Sequence, residues 1–128
     1  MKKFLVIIIL FISGNYAANA QSGTKPSGVE VYYFHFTARC ETCRTVESEA
    51  KADIQSLYGG QVSFQTINLD DASSKAIAEK LKISGQTLLI VKGNQKVNLT
   101  NEGFLYAMQK PAKLKAIIKE KVDKLLEM

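Results

Sequence analysis

The chain opens on an unbroken apolar run, Phe4 to Ile12, with Lys2 and Lys3 before it and a small, polar stretch ending Ala18-Asn19-Ala20 behind it. A positive head, a short apolar middle and a small-residue end are the layout of an export signal, so residues 1–20 are expected to form a signal peptide cut after Ala20. Nine apolar residues fall far short of the ~20 that cross a bilayer as a helix, which disfavours an uncleaved anchor. No Cys stands near the cut to carry a lipid, and no later segment is long and apolar enough to span a membrane.

Gln21 to Gly28 lacks core-forming residues and reads as a flexible lead. Val29 to Phe36 is a β-branched and aromatic run, the pattern of a strand buried on both faces. A helix is expected to begin near Cys40. Its stripe of Val46, Ala50, Ile54 and Leu57 recurs at three and four residues, with Cys43 extending it backward and Gly59-Gly60 ending it. Gln61 to Leu69 alternates around Val62, Phe64, Ile67 and Leu69 as a second strand. Asp70 or Asp71 is placed to cap a helix through Ala76, Ile77 and Leu81. Thr87–Val91 and Lys96–Leu99 read as two strands joined at Gly93-Asn94 in an antiparallel hairpin. Thr100 or Asn101 can cap a short helical stretch around Phe104 to Met108. Pro111 suits the first turn of a last helix striped by Leu114, Ile117, Ile118, Val122, Leu125 and Leu126. The order strand–helix–strand–helix–hairpin–helix favours parallel pairing of the first two strands and a mixed four-stranded sheet between helices.

Composition adds few constraints. With 128 residues, 46% hydrophobic and 23% charged, the chain supports one packed domain, expected over residues 29–128. Removing residues 1–20 takes Lys2 and Lys3 and no acid, lowering the net charge from +5 to +3. The remaining lysines are densest in the last helix, where they alternate with Glu120, Asp123 and Glu127. Without base-stacking aromatics that face reads as solvated, and no nucleic-acid partner is expected. Nothing in the pattern asks for an oligomer, so a monomer is expected.

The two cysteines change the picture most, because both sit in one motif, Cys40-Glu41-Thr42-Cys43. A zinc site wants four ligands, and the chain has one His and no further Cys, so no metal is assigned. A bridge closing so short a loop removes little unfolded-state entropy, which argues against a structural staple. Redox use is the remaining reading, and export would put the pair where disulfides persist. At a helix start the first unpaired N–H groups and the helix dipole favour a thiolate on Cys40, while Cys43, on the buried stripe, is placed to resolve a mixed disulfide.

A strand ending in aromatics, a C-x-x-C opening a helix, the strand end Ile67-Asn68-Leu69-Asp70, and Thr87-Leu88-Leu89-Ile90 before a Gly turn together resemble the thioredoxin superfamily over nearly all of residues 29–127. The resemblance implies an α/β, thioredoxin-like three-layer sandwich with a mixed four-stranded sheet flanked by helices. It also implies Cys40 as nucleophile and Cys43 as resolving thiol. The chain departs from the family at three places. Phe34 stands six before the nucleophile, where the family has a buried acid. Thr66 stands near the place of its partnered lysine. Gln86, in Ile83-Ser84-Gly85-Gln86-Thr87, stands where the family has a cis-proline, and a cis bond before a non-proline residue costs ~3 kcal/mol, so a trans peptide is expected.

Around the pair, Arg39, Glu41, Thr42 and Gln86 are the candidate tuning residues. The Arg39 cation would favour a thiolate and Glu41 would oppose it, and both also fit simple solvated side chains. His35 fits a hydrogen-bonded strand histidine better than a proton relay. The functional expectation is an exported, periplasmic or secreted thiol–disulfide oxidoreductase acting on protein thiols. It needs no cofactor beyond its own disulfide and works more as a reductant than an oxidant, its electrons supplied by an integral membrane thiol carrier. The alternatives are a thioredoxin-like module that captures a soft metal or metalloid with its vicinal thiols, and an assembly factor for which the thiols matter little.

Overall fold

The computed structural model describes residues 27–128. The expected signal peptide, residues 1–20, lies outside the described residues, as does the expected lead over residues 21–28 apart from its last two positions. Of those two, Ser27 is tied down: its N–H and its hydroxyl both donate to the Gln61 carbonyl, at 3.0 and 2.7 Å.

The apolar run after the lead forms β1 (Glu30–His35), in which every residue past Glu30 is buried. Helix α1 (Glu41–Tyr58) and a short 3-10 turn lead to β2 (Ser63–Asn68). A second 3-10 turn (Ala72–Ser74) enters α2 (Lys75–Leu81), followed by β3 (Thr87–Lys92), β4 (Gln95–Asn98), α3 (Thr100–Tyr106) and α4 (Pro111–Leu126). The strands form one sheet in the order β2-β1-β3-β4. β1 runs parallel to β2 and antiparallel to β3, and β3 is antiparallel to β4. This is the mixed four-stranded sheet that the strand–helix order predicts, in the thioredoxin-like arrangement that the resemblance implies.

β1 reads as a continuous hydrophobic run because it is central and covered on both faces. On one face Val31 and Tyr33 join Val46, Ala50 and Ile54 of α1 and Leu114, Ile118 and Val122 of α4. On the other, Tyr32 and Phe34 pack with Leu81, Leu89 and Val91, and with Ile77 of α2. The outer strands are polar at their edges: Ser63, Gln65 and Thr66 of β2 and Gln95, Lys96 and Asn98 of β4 are exposed.

Several expected boundaries move. β2 is shorter than Gln61–Leu69, since Gln61 belongs to the 3-10 turn and Leu69 follows the last pairing, His35 with Asn68. The hairpin strands shift by a residue, and Gly93 takes a φ of +56°, a conformation that a Cβ disfavours. Neither Thr100 nor Asn101 caps α3. The helix starts at Thr100, whose hydroxyl instead accepts the Leu88 N–H at 3.0 Å. Asp71 precedes the 3-10 turn without a side-chain capping bond, and Asp70 is engaged elsewhere. Pro111 does open α4 at its first turn.

Candidate functional site

Cys40 is the N-cap of α1, with extended backbone at φ −73° and ψ 166°. Its Sγ accepts the Cys43 N–H at 3.1 Å, the position an oxygen takes in an ordinary N-cap. The Sγ therefore sits at the positive end of an 18-residue helix, where negative charge is stabilised. Cys40 and Cys43 are joined in a disulfide with Cα atoms 5.1 Å apart. The two sulfurs differ in access: Cys40 is exposed, whereas Cys43 is 3% exposed and faces the core. An incoming thiol or disulfide can meet Cys40 first, with Cys43 behind it, the order that attack and resolution require.

The approach to Cys40 is held by the end of β2. The Leu69 N–H donates to the His35 carbonyl at 2.7 Å. The Thr37 N–H donates to Asp70 Oδ2 at 2.8 Å, and the Asn68 amide donates to the Thr37 hydroxyl at 2.9 Å. The Thr37 hydrogen bonds hold the Asp70 carboxyl below the usual range. Asp70 thus ties down the loop that leads to Cys40 rather than capping the next helix.

Of the tuning candidates, Arg39 is neither free nor simply solvated. Its guanidinium pairs with Glu47 Oε2, and Glu47 Oε1 accepts the Thr66 hydroxyl at 3.1 Å. The cation beside Cys40 is therefore partly neutralised by a carboxylate on the second turn of α1, and Thr66 serves as part of that carboxylate's support. Glu41 lies exposed in the first turn. Thr42 donates its hydroxyl to the Met108 thioether at 3.1 Å, bringing the segment after α3 to the motif. Gln86 is half-buried just before β3. Thr87 pairs with Phe34, so Gln86 lies at the end of the sheet from which the cysteine loop departs. No peptide bond among the described residues is cis.

His35 is a buried strand histidine whose Nδ1–H donates to the Phe36 carbonyl at 2.8 Å. The strand's alternation separates two positions that are adjacent in sequence. Phe34, counted as the place of the family's acid, faces the α2 side, whereas Tyr33 shares a layer with α1. The Tyr33 hydroxyl is wholly buried and has no hydrogen-bond partner; burial raises its pKa, and the Arg39 charge pulls the other way. On the α2 side, Phe36, Leu69, Asp70, Ala78, Ile83 and Ser84 line an open cavity of about 390 Å³ at the same end of the sheet.

As site residues, sequence reasoning missed Glu47 and Met108, and it gave Asp70 a capping role in place of its bond to Thr37. Glu47 had a usable signal, since it shares a helix with Cys43 and can reach back to Arg39. Met108 had none, because its contact with Thr42 spans 66 positions.

No family model matches the chain, and no curated protein matches it. Among solved structures, it is similar to the oxidized form of mitochondrial thioredoxin 3 from Saccharomyces cerevisiae. There the identity is 22% and the TM-score 0.47, covering 76% of this chain and 81% of that one. It is also similar to a malarial protein, at 23% identity and a TM-score of 0.42, covering 53% and 73%. Independently of these likenesses, the sheet order and the C-x-x-C disulfide at the α1 N-terminus make the chain thioredoxin-like. That arrangement supports thiol–disulfide oxidoreductase chemistry at a general level.

Proposed function

We propose that the protein is an extracytoplasmic dithiol–disulfide exchanger for protein thiols, working as a reductant supplied with electrons by a membrane thiol carrier. The observation that carries this reading is the exposed Cys40 sulfur at the N-cap of α1, bridged to a buried Cys43. In the reduced form the helix N-terminus stabilises the Cys40 thiolate, which attacks one sulfur of a substrate disulfide. The substrate's other sulfur leaves as a thiolate and takes a proton. The Cys43 thiol then loses its proton and attacks Cys40, releasing the second substrate thiol and closing the internal disulfide. Two electrons pass to the substrate, and a thiol carrier must return two to begin again. The direction is supported by the Arg39–Glu47 pair and by Glu41: with the adjacent Arg39 cation paired to a carboxylate, less positive field acts on Cys40 than in a strongly oxidising pair. Export is supported by the residue pattern over residues 1–20.

The deciding experiment is the equilibrium potential of the Cys40–Cys43 pair in thiol buffers. A reversible two-electron transition at or below about −230 mV is expected. A value near −120 mV would reverse the direction, and the absence of a transition would end the exchange reading. Cys43→Ser should accumulate a mixed disulfide through Cys40, seen by mass spectrometry, and Cys40→Ser should not.

A further inference from the structure

We propose that, once its disulfide is opened, the protein binds one copper(I) ion through three sulfurs, those of Cys40, Cys43 and Met108. Thr42 stands between the two cysteines and donates its hydroxyl to the Met108 Sδ at 3.1 Å, which puts a thioether against the C-x-x-C turn. Met108 is 50% exposed and Cys40 is exposed, so both sulfurs can be reached from solvent.

The placement of Met108 follows from packing. It stands two residues after α3, and α3 crosses α1 at Gly103. A Cβ built there would lie 2.9 Å from Val46 Cγ1 and 3.6 Å from Leu88 Cδ2. Val46 is one turn beyond Cys43 on α1, so this close crossing seats the end of α3 beside the first turn of the cysteine helix. Binding asks the unbranched, half-exposed Met108 side chain to swing its sulfur from the Thr42 hydroxyl to an ion held by the cysteines.

The donor set selects the ion. Among the described residues no group of three or more His, Cys, Asp or Glu side chains comes together, so the third donor at the motif is the thioether. Two thiolates and a thioether are soft ligands, which favour copper(I) over zinc, with its preference for four thiolate, imidazole or carboxylate donors. Binding moves no electron. Both cysteines bind as thiolates, any thiol proton still present passing to solvent, and the ion stays copper(I). The resulting complex has one net negative charge at the N-terminus of α1, where the helix dipole favours it. The disulfide form cannot bind, so copper(I) and substrate disulfides compete for the same reduced pair. The inference rests on the exchange reading only in requiring that the disulfide open.

The test is an anaerobic titration of the reduced protein with copper(I) against a chromophoric copper(I) chelator. One ion per chain is expected, and Met108→Leu should bind about tenfold or more weakly, whereas Met128→Leu, beyond the end of α4, should bind as the wild type does. In selenomethionine-labelled protein, X-ray absorption at the copper edge should show a selenium neighbour that Met108→Leu removes. Equal affinity of Met108→Leu and wild type, no selenium neighbour, or no copper(I) uptake would each overturn the proposal. The wild-type potential is measured on the same samples: a missing redox transition sinks the exchange reading while leaving a positive copper(I) result standing.

Discussion

The two faces of the sheet are built to different depths. On the α1 side three helices cover the strands, and Val46, Leu114, Ile118 and Val122 are each at most 2% exposed. On the α2 side a single seven-residue helix does the covering, and beside it the cavity next to Phe36 stays open. The cysteines ride on a helix rooted in the deep layer, while the surface next to their loop belongs to the shallow one. The pairing roots the two sulfurs in the thickly covered side and leaves the thinly covered side beside their loop.

The most direct way to break this comparison is to cut the deep layer. Leu114→Ala should lower stability by about 2–5 kcal/mol, read by urea unfolding, because the site has no solvent side into which to relax. Next, Gly103→Ala should cost about 1–3 kcal/mol by overpacking against Val46. Ile77→Ala, in the shallow layer, should cost only about 1 kcal/mol; a loss equal to that of Leu114→Ala would mean the two faces are equally committed.

A subtler probe is Asp53, buried on α1 among the deep-layer residues with its Oδ2 unpartnered. Burial first, and Glu49 second, push its carboxyl up from 3.8 to about 6, with Lys115 opposing. A raised folded-state pKa means the neutral acid is the better-tolerated form. Its contribution is fully present below about pH 4 and is lost as pH rises through about 6. Asp53→Asn should therefore be the more stable protein at pH 7.5 and lose that advantage by pH 4, in parallel urea titrations. An unchanged difference between the two pH values would remove Asp53 from the deep layer's weak points. The smallest effect is expected at the rim: Glu47→Gln frees the Arg39 cation beside Cys40. The pair's potential should then rise on the order of 10 mV, matching the ~0.5 kcal/mol of a half-exposed ion pair. A fall instead would show that Arg39 does not act on the thiolate.

Much of this architecture was legible in the residue pattern. The continuous run Val29–Phe36, the stripe from Cys43 to Ile54 and the turn at Gly93-Asn94 are local signals, and each names its own element. The motif's place at a helix start followed from the same signals. What stayed hidden depends on contacts between distant segments. Asp53 lies next to Ile54 on the apolar stripe, and a period count treats it as a polar neighbour, not as a buried acid. Phe34 and Tyr33 differ by one position in sequence and by a whole face of the sheet in space, which an offset counted from Cys40 does not show. Thr100 has the chemistry of a cap, but the Leu88 N–H of β3 uses its hydroxyl.

The polar edges of the sheet bear on how the protein behaves in a crowd. A bare strand edge offers unpaired N–H and C=O groups to any passing extended chain, and flat apolar edges add further strands. Here one edge is a four-residue strand carrying Lys96, and the other turns Ser63, Gln65 and Thr66 outward. Neither edge therefore offers an extended chain a long, flat apolar template on which to add. The consequence is a sheet whose own edges resist joining a second copy into a fibre.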